Sequence, residues 1–245
     1  MSAGLQIPPL STALALILAL GLPHAHAEQM PMPLSHMAAA SPFPSELHPL
    51  AQAVADGDTG DIASLSSHTR PNPSGQDNVT LLEWAIWNRQ PGSLAALLLA
   101  GFDPSTPGMD GESVAHLAAS VDDPRYLQVL IEHRAPVDLI GGRAARTPIF
   151  RAVQSRRDAQ FALLLAAGAD INRADAMGNT LLHVAAEVGD AARALQLLKA
   201  GANYDTTNIR GVRFQSLLFE QDSARLNAKG RADRQAVLDW LTANQ

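Results

Sequence analysis

Apolar and polar residues alternate along this chain with two nested periods. Within short stretches the apolar positions fall three and four apart, as in Leu94/Leu97/Leu98, Leu127/Leu130/Ile131, Phe161/Leu164/Leu165 and Ala194/Leu197/Leu198. That spacing puts them on one face of a helix. Over a longer distance the same phrase returns. It reads Thr80-Leu81-Leu82-Glu83-Trp84-Ala85, then starts again at Ser113, Thr147 and Thr180. A second phrase keeps that beat at Gly101-Phe102-Asp103, Arg134-Ala135-Pro136, Gly168-Ala169-Asp170 and Gly201-Ala202-Asn203. Two phrases in one register of 33 or 34 residues describe one structural unit copied in tandem.

The unit can be predicted locally. Thr80, Ser113, Thr147 and Thr180 stand where a hydroxyl caps the first amides of a helix. Pro148 follows at a position whose amide is unpaired anyway. The first helix is expected to end near Asn88-Arg89, Val121-Asp122, Ser155-Arg156 and Val188-Gly189. The second carries the apolar stripes above. Gly101, Gly168 and Gly201 then stop it in the left-handed conformation. Stretches such as Ala174-Asp175-Ala176-Met177-Gly178-Asn179 have the composition of a tight turn.

The phrase and its period resemble the ankyrin repeat family, most closely from Thr180 to Asn203, where Gly178, His183, Gly189 and Gly201 are all in place. The resemblance takes in residues 47–245. It implies an all-α solenoid of helix-turn-helix units with short β-hairpin loops, about six units including caps. The units fall at 47–77, 78–110, 111–144, 145–177 and 178–210, with a C-terminal cap over 211–245. Pro49–Asp58 reads as a degenerate first helix, with Ile62 and Leu65 on the second. A last helix is expected from about Ala232 to Thr242. Asn78 and Ala145 depart from the family by replacing the hairpin glycine. Ala tolerates positive φ poorly, so a reshaped third hairpin is expected, with an extra residue in 141–146.

The N-terminus narrows location. Leu10–Leu22 is an apolar run, followed by small residues at 25 and 27 before Glu28. It is too short to span a bilayer and has the order of an export signal, giving a signal peptide over 1–27 and a periplasmic mature protein. No Lys or Arg precedes the run, so an uncleaved inner-membrane anchor stays open beside it. Residues 28–45 form a Pro/Met/Ala-rich linker. Met30, Met32, His36 and Met37 admit a copper site, but their spacing does not recur, which favours a plain flexible linker.

There are no cysteines, which excludes disulfides and thiolate chemistry. The net charge of −6 is lopsided. Residues 28–139 hold 14 acidic against 4 basic side chains, and residues 140–245 hold 10 against 14. A partner of matching polarity would be steered by such a field, although exposed helix faces carry charge in any case. An acidic total with no basic aromatic motif argues against nucleic acid.

No nucleophile elbow, zinc-binding helix motif or phosphate loop occurs. His116 and His183 fill the fourth position of the phrase, where the resemblance implies a structural hydrogen bond between repeats. No catalytic, metal or cofactor residue is therefore assigned, and no enzyme activity is expected. The resemblance places protein partners on a concave face built from first helices and hairpin tips. The first-helix positions mapped there are Trp84, Trp87, Leu117, Ser120, Arg151, Gln154, Val184 and Glu187. Partner contacts are expected at Trp84, Trp87, Asp110, Arg143, Arg151, Met177 and Arg210. Trp84 has a second reading, in which it packs on the neighbouring first helix and leaves Trp87 as the exposed ring.

What the resemblance implies is a monomeric adaptor. Exported bacterial members either assist or protect an enzyme, such as a catalase, or act as immunity proteins against a toxin or phospholipase. A membrane-anchored envelope scaffold is the alternative, and a hydrolase a remote one.

Overall fold

The computed structural model describes residues 41–70, 72–220 and 226–244. The expected signal peptide and the linker up to residue 40 lie outside the described residues. The described part holds twelve α-helices and no strands. They pair in sequence: α1 (His48–Asp56) with α2 (Thr59–Ser66), α3 (Leu81–Trp87) with α4 (Pro91–Leu99), and α5 (Val114–Ser120) with α6 (Arg125–Glu132). Then come α7 (Pro148–Gln154) with α8 (Asp158–Ala166), α9 (Leu181–Glu187) with α10 (Ala191–Lys199), and α11 (Phe214–Phe219) with α12 (Ala228–Ala243).

First helices pack on first helices, α1 on α3 through to α9 on α11. Second helices form the parallel row, α2 on α4 and α10 on α12 among them. One apolar core runs between the rows. Leu94, Leu97, Leu127, Ile149, Phe150, Leu164, Leu181 and Leu197 in it are completely or almost completely enclosed. No unit could bury its apolar face alone, so stability accrues along the stack.

Gly101, Gly168 and Gly201 end their helices at φ 91°, 87° and 89°, as expected of left-handed C-terminal glycines. In the third unit Arg134 takes that role at φ 60°. Its backbone must therefore accept a conformation that costs an L-residue. Ala145 also lies at positive φ, 51°. Its hairpin is reshaped as expected. The amides of Gly141 and Arg146 exchange bonds with each other's carbonyls at 2.9 and 3.1 Å, whereas the fourth hairpin closes with one backbone bond, from the Asp175 amide to the Asn179 carbonyl. Positive φ at Ala145 thus comes with a longer loop.

The last helix differs from expectation. It starts at Ala228, because the Asn227 side chain accepts a bond from the Gly230 amide at 2.8 Å and caps it there. Gly230 inside a polar stretch had disguised that start as loop.

Candidate protein-binding face

The fourth position of the phrase shows how the units are joined. The Thr180 amide donates to His183 Nδ1 at 3.1 Å, which leaves Nε2 to donate to the Val212 carbonyl of the next hairpin at 3.0 Å. His116 repeats this with the Ser113 amide at 3.2 Å and the Arg146 carbonyl at 2.9 Å. Both rings are buried, at 0 % and 1 % exposure. Their role is structural, since each satisfies buried backbone that would otherwise be orphaned. Gly141 lies against the His116 ring, and a Cβ there would sit 2.9 Å from Cε1.

Glu83 takes the same place in the second unit. Its carboxylate accepts from the Thr80 amide at 2.8 Å and reaches forward to the Met109 amide at 3.2 Å. Burial pushes its pKa above the ordinary 4.5, against the opposing pull of the Thr80 bonds. Gly108 faces this carboxylate so closely that any Cβ would collide with it.

The fourth unit breaks the rule, because Phe150 stands where His or Glu would bridge. The cap expected from Thr147 is not formed: its hydroxyl is fully buried and has no hydrogen-bond partner among the described residues. The junction is tied instead by an ion pair. Arg146 donates from Nε and Nη2 to Asp175 Oδ2 at 3.0 and 2.8 Å, and its guanidinium lies 5.6 Å from the Phe150 ring centre. Burial alone would raise the Asp175 pKa. Arg146 and the amides of Asn179 and Met177 outweigh it and hold the group below its ordinary 3.8.

An orphaned buried hydroxyl costs about 1–3 kcal/mol. Thr147→Val should therefore stabilise the protein by about 1 kcal/mol, read as an upward shift of the urea midpoint. The same change at Thr180, whose hydroxyl contacts His183 Nδ1 at 2.9 Å, should destabilise it.

His116 sets a pH response. Burial lowers its pKa below the ordinary 6.5, outweighing the bonds that favour its charged form. The folded protein thus holds the ring neutral while the unfolded chain gains a proton. Stability from this source is complete above about pH 6.5 and drains as pH falls below it. Melting temperatures between pH 7.5 and 5 should fall, and His116→Gln should flatten that slope. Glu83 acts with the opposite sign, since its raised pKa makes the fold bind a proton above pH 4.5. An unchanged slope in the His116 variant would contradict the assignment.

The first helices present two rows inward, and the second, Trp87, Ser120, Gln154 and Glu187, is the more open, although Leu117 in the first row is also only half-buried. Trp84 and Val184 are 6 % and 1 % exposed. Trp84 packs edge-on to Phe43 at 5.9 Å, and its Nε1 donates to the Ala51 carbonyl at 2.9 Å. This corrects the partner contact expected at Trp84 and the exposure expected of Val184. Both belong to the row that seats on the preceding first helix. Arg151, in the same row, has its guanidinium occupied by Glu112, with Nε 3.1 Å from both carboxylate oxygens, so it braces two units rather than standing free.

One turn later, Trp87 and Ser120 are half-buried, and Gln154 and Glu187 are exposed. The Trp87 ring stands edge-on to Trp84 at 6.4 Å. Asp110, Arg143, Met177 and Arg210 are exposed on hairpin tips, as expected. The sequence reading missed Glu112, Arg146 and Asp175, which support this face. The signal was available: Arg146 and Asp175 flank a junction where Phe150 replaces the polar fourth residue.

A model of ankyrin repeats, three copies long, matches residues 82–175, and a single ankyrin repeat matches residues 177–209. The chain belongs to the ankyrin repeat family. Among curated relatives, protein PhlB of Serratia liquefaciens is 40 % identical over 139 residues, covering 57 % of this chain and 61 % of PhlB. Human neurogenic locus notch homolog protein 1 is 30 % identical over 145 residues, covering 59 % of this chain and 6 % of that protein. The chain thus spans less than two thirds of either relative. Among solved structures, an ankyrin repeat domain from Acinetobacter baumannii superposes with a TM-score of 0.65 at 22 % identity, covering 79 % of this chain and 97 % of that one. The complex of a predatory endopeptidase from Bdellovibrio bacteriovorus with an immunity protein gives 0.63 at 23 % identity, covering 78 % and 97 %. Ankyrin repeats are generally protein-interaction modules, and this chain is built as one.

Proposed function

We propose that this protein is an exported, non-catalytic ankyrin module that binds one protein in the periplasm or envelope, either inhibiting it as an immunity protein does or assisting it. The observation that carries this reading is how its polar groups are used. His116, His183, Glu83 and Asp175, buried groups with catalytic potential, are each spent on bonds between units. What remains open is a row of unlike side chains, Trp87, Ser120, Gln154 and Glu187, one from each successive first helix. Such a row offers varied recognition on a rigid frame without a reactive centre.

The inhibitory form draws support from the structural relative described as an immunity protein in complex with an endopeptidase. Export rests on the apolar run at 10–22 and the small residues at 25 and 27. Affinity capture from envelope extract should return one stoichiometric protein, and N-terminal sequencing of the bait should begin at Glu28. A bait that begins at Met1 in the membrane fraction would favour the anchored scaffold.

A further inference from the structure

The hairpin tips change character from one end of the stack to the other. Equivalent tip positions read Asp77, Asp110, Ala144, Met177 and Arg210. The position before them reads Gln76, Met109, Arg143, Ala176 and Ile209. The last three tips are joined edge to edge, since the Ala176 amide donates to the Ala144 carbonyl at 2.8 Å and the Ile209 amide to Met177 at 3.0 Å. Their side chains therefore form one surface. Ile209 is 68 % exposed and Met177 39 %. Large exposed aliphatic groups on adjoining tips are costly in water unless something covers them. Arg143 and Arg210 flank them, both exposed, and neither makes an ion pair with a described residue. The other arginines around the third hairpin, Arg146 and Arg151, are already paired.

We infer that the tips of the third to fifth hairpins, through Arg143, Met177, Ile209 and Arg210, dock an acidic segment of a partner protein that carries an aliphatic or aromatic side chain. The inference rests on the protein-binding reading above and adds the chemistry of the partner. Two unpaired guanidiniums call for carboxylates, with which they form directed, charge-assisted bonds. The apolar pair between them calls for a side chain to bury against. A nucleic acid would satisfy the arginines but offer little to Ile209, and it would meet the 13 acidic against 4 basic side chains of residues 41–139 along the rest of the stack. A second copy could offer Asp77 and Asp110. The described residues around those tips include no large exposed aliphatic side chain, so Met177 and Ile209 would stay uncovered.

The test uses the full mature chain and fluorescein-labelled peptides of about twelve residues. One mixes Glu and Leu, one Glu and Ser, one Lys and Leu, alongside a single-stranded oligonucleotide of similar charge. The Glu/Leu peptide should bind at least about tenfold more tightly than each of the others. Arg143→Glu with Arg210→Glu should weaken it by about tenfold or more, and so should Met177→Ser with Ile209→Ser. Thermal melts establish that both double variants fold. Equal or tighter binding of the Lys/Leu peptide or the oligonucleotide, no binding of any peptide, or indifference to both double variants would overturn the inference. A salt-sensitive dimer in sedimentation that Arg210→Glu dissolves would assign the surface to self-association instead. If the peptides fail while envelope capture still returns a partner that Trp87→Ala releases, the docking inference falls and the protein-binding reading stands. If capture returns nothing as well, that reading falls too.

Discussion

Trp84→Ala should cost about 3–5 kcal/mol of stability, the range for deleting a large buried aromatic. The ring is 6 % exposed, seats on Phe43 and the α1 backbone, and gives its Nε1 proton to Ala51. Truncation opens a cavity between the first two units and removes the indole hydrogen bond to the Ala51 carbonyl. Because stability accrues along the stack, the loss should appear as early unfolding of the N-terminal units. Hydrogen exchange across residues 47–66 would rise first, ahead of any change in α9–α12. Trp84→Phe should recover most of the packing but not the hydrogen bond. A Trp84→Ala protein that melts like the parent would place the ring outside the core.

Trp87 is the contrasting case. It lies one turn further on, half-buried, at the start of the open row. Its exposed edge is the largest aromatic surface in that row, and Trp is the residue type most enriched among interface hot spots. Trp87→Ala should weaken partner binding by about 2 kcal/mol or more, roughly thirtyfold, and cost less stability than Trp84→Ala. The two substitutions thus separate a structural from a recognition role for neighbouring rings of the same kind.

The repeat register made most of the fold legible. Helix ends at Asn88, Val121, Ser155 and Val188, and the helix-stopping glycines, follow from spacing and from the backbone chemistry of Gly. The structural role of His183 was legible for the same reason, because its position recurs. What periodicity cannot show is which of two inward rows is covered by the neighbouring unit. Trp84 and Trp87 share a helical face, yet the packing of α1 on α3 buries one and leaves the other half open. Val184 was misread in the same way. Arg151 was placed on the right face, but its partner Glu112 sits 39 residues earlier, a separation that no local pattern reports. The start of α12 was hidden because a glycine within its first turn looks like loop until the Asn227 cap is seen.

The proposed function has this ankyrin stack binding a protein through its open inner row. The most direct measurement is titration calorimetry of the captured partner against the parent protein, Trp87→Ala and Gln196→Ala. Gln196 is exposed on α10, in the row of second helices, and should be neutral. The account predicts one-to-one binding by the parent, at least about thirtyfold weaker binding by Trp87→Ala, and no change for Gln196→Ala. Undiminished binding by Trp87→Ala, or a larger loss from Gln196→Ala, would contradict it.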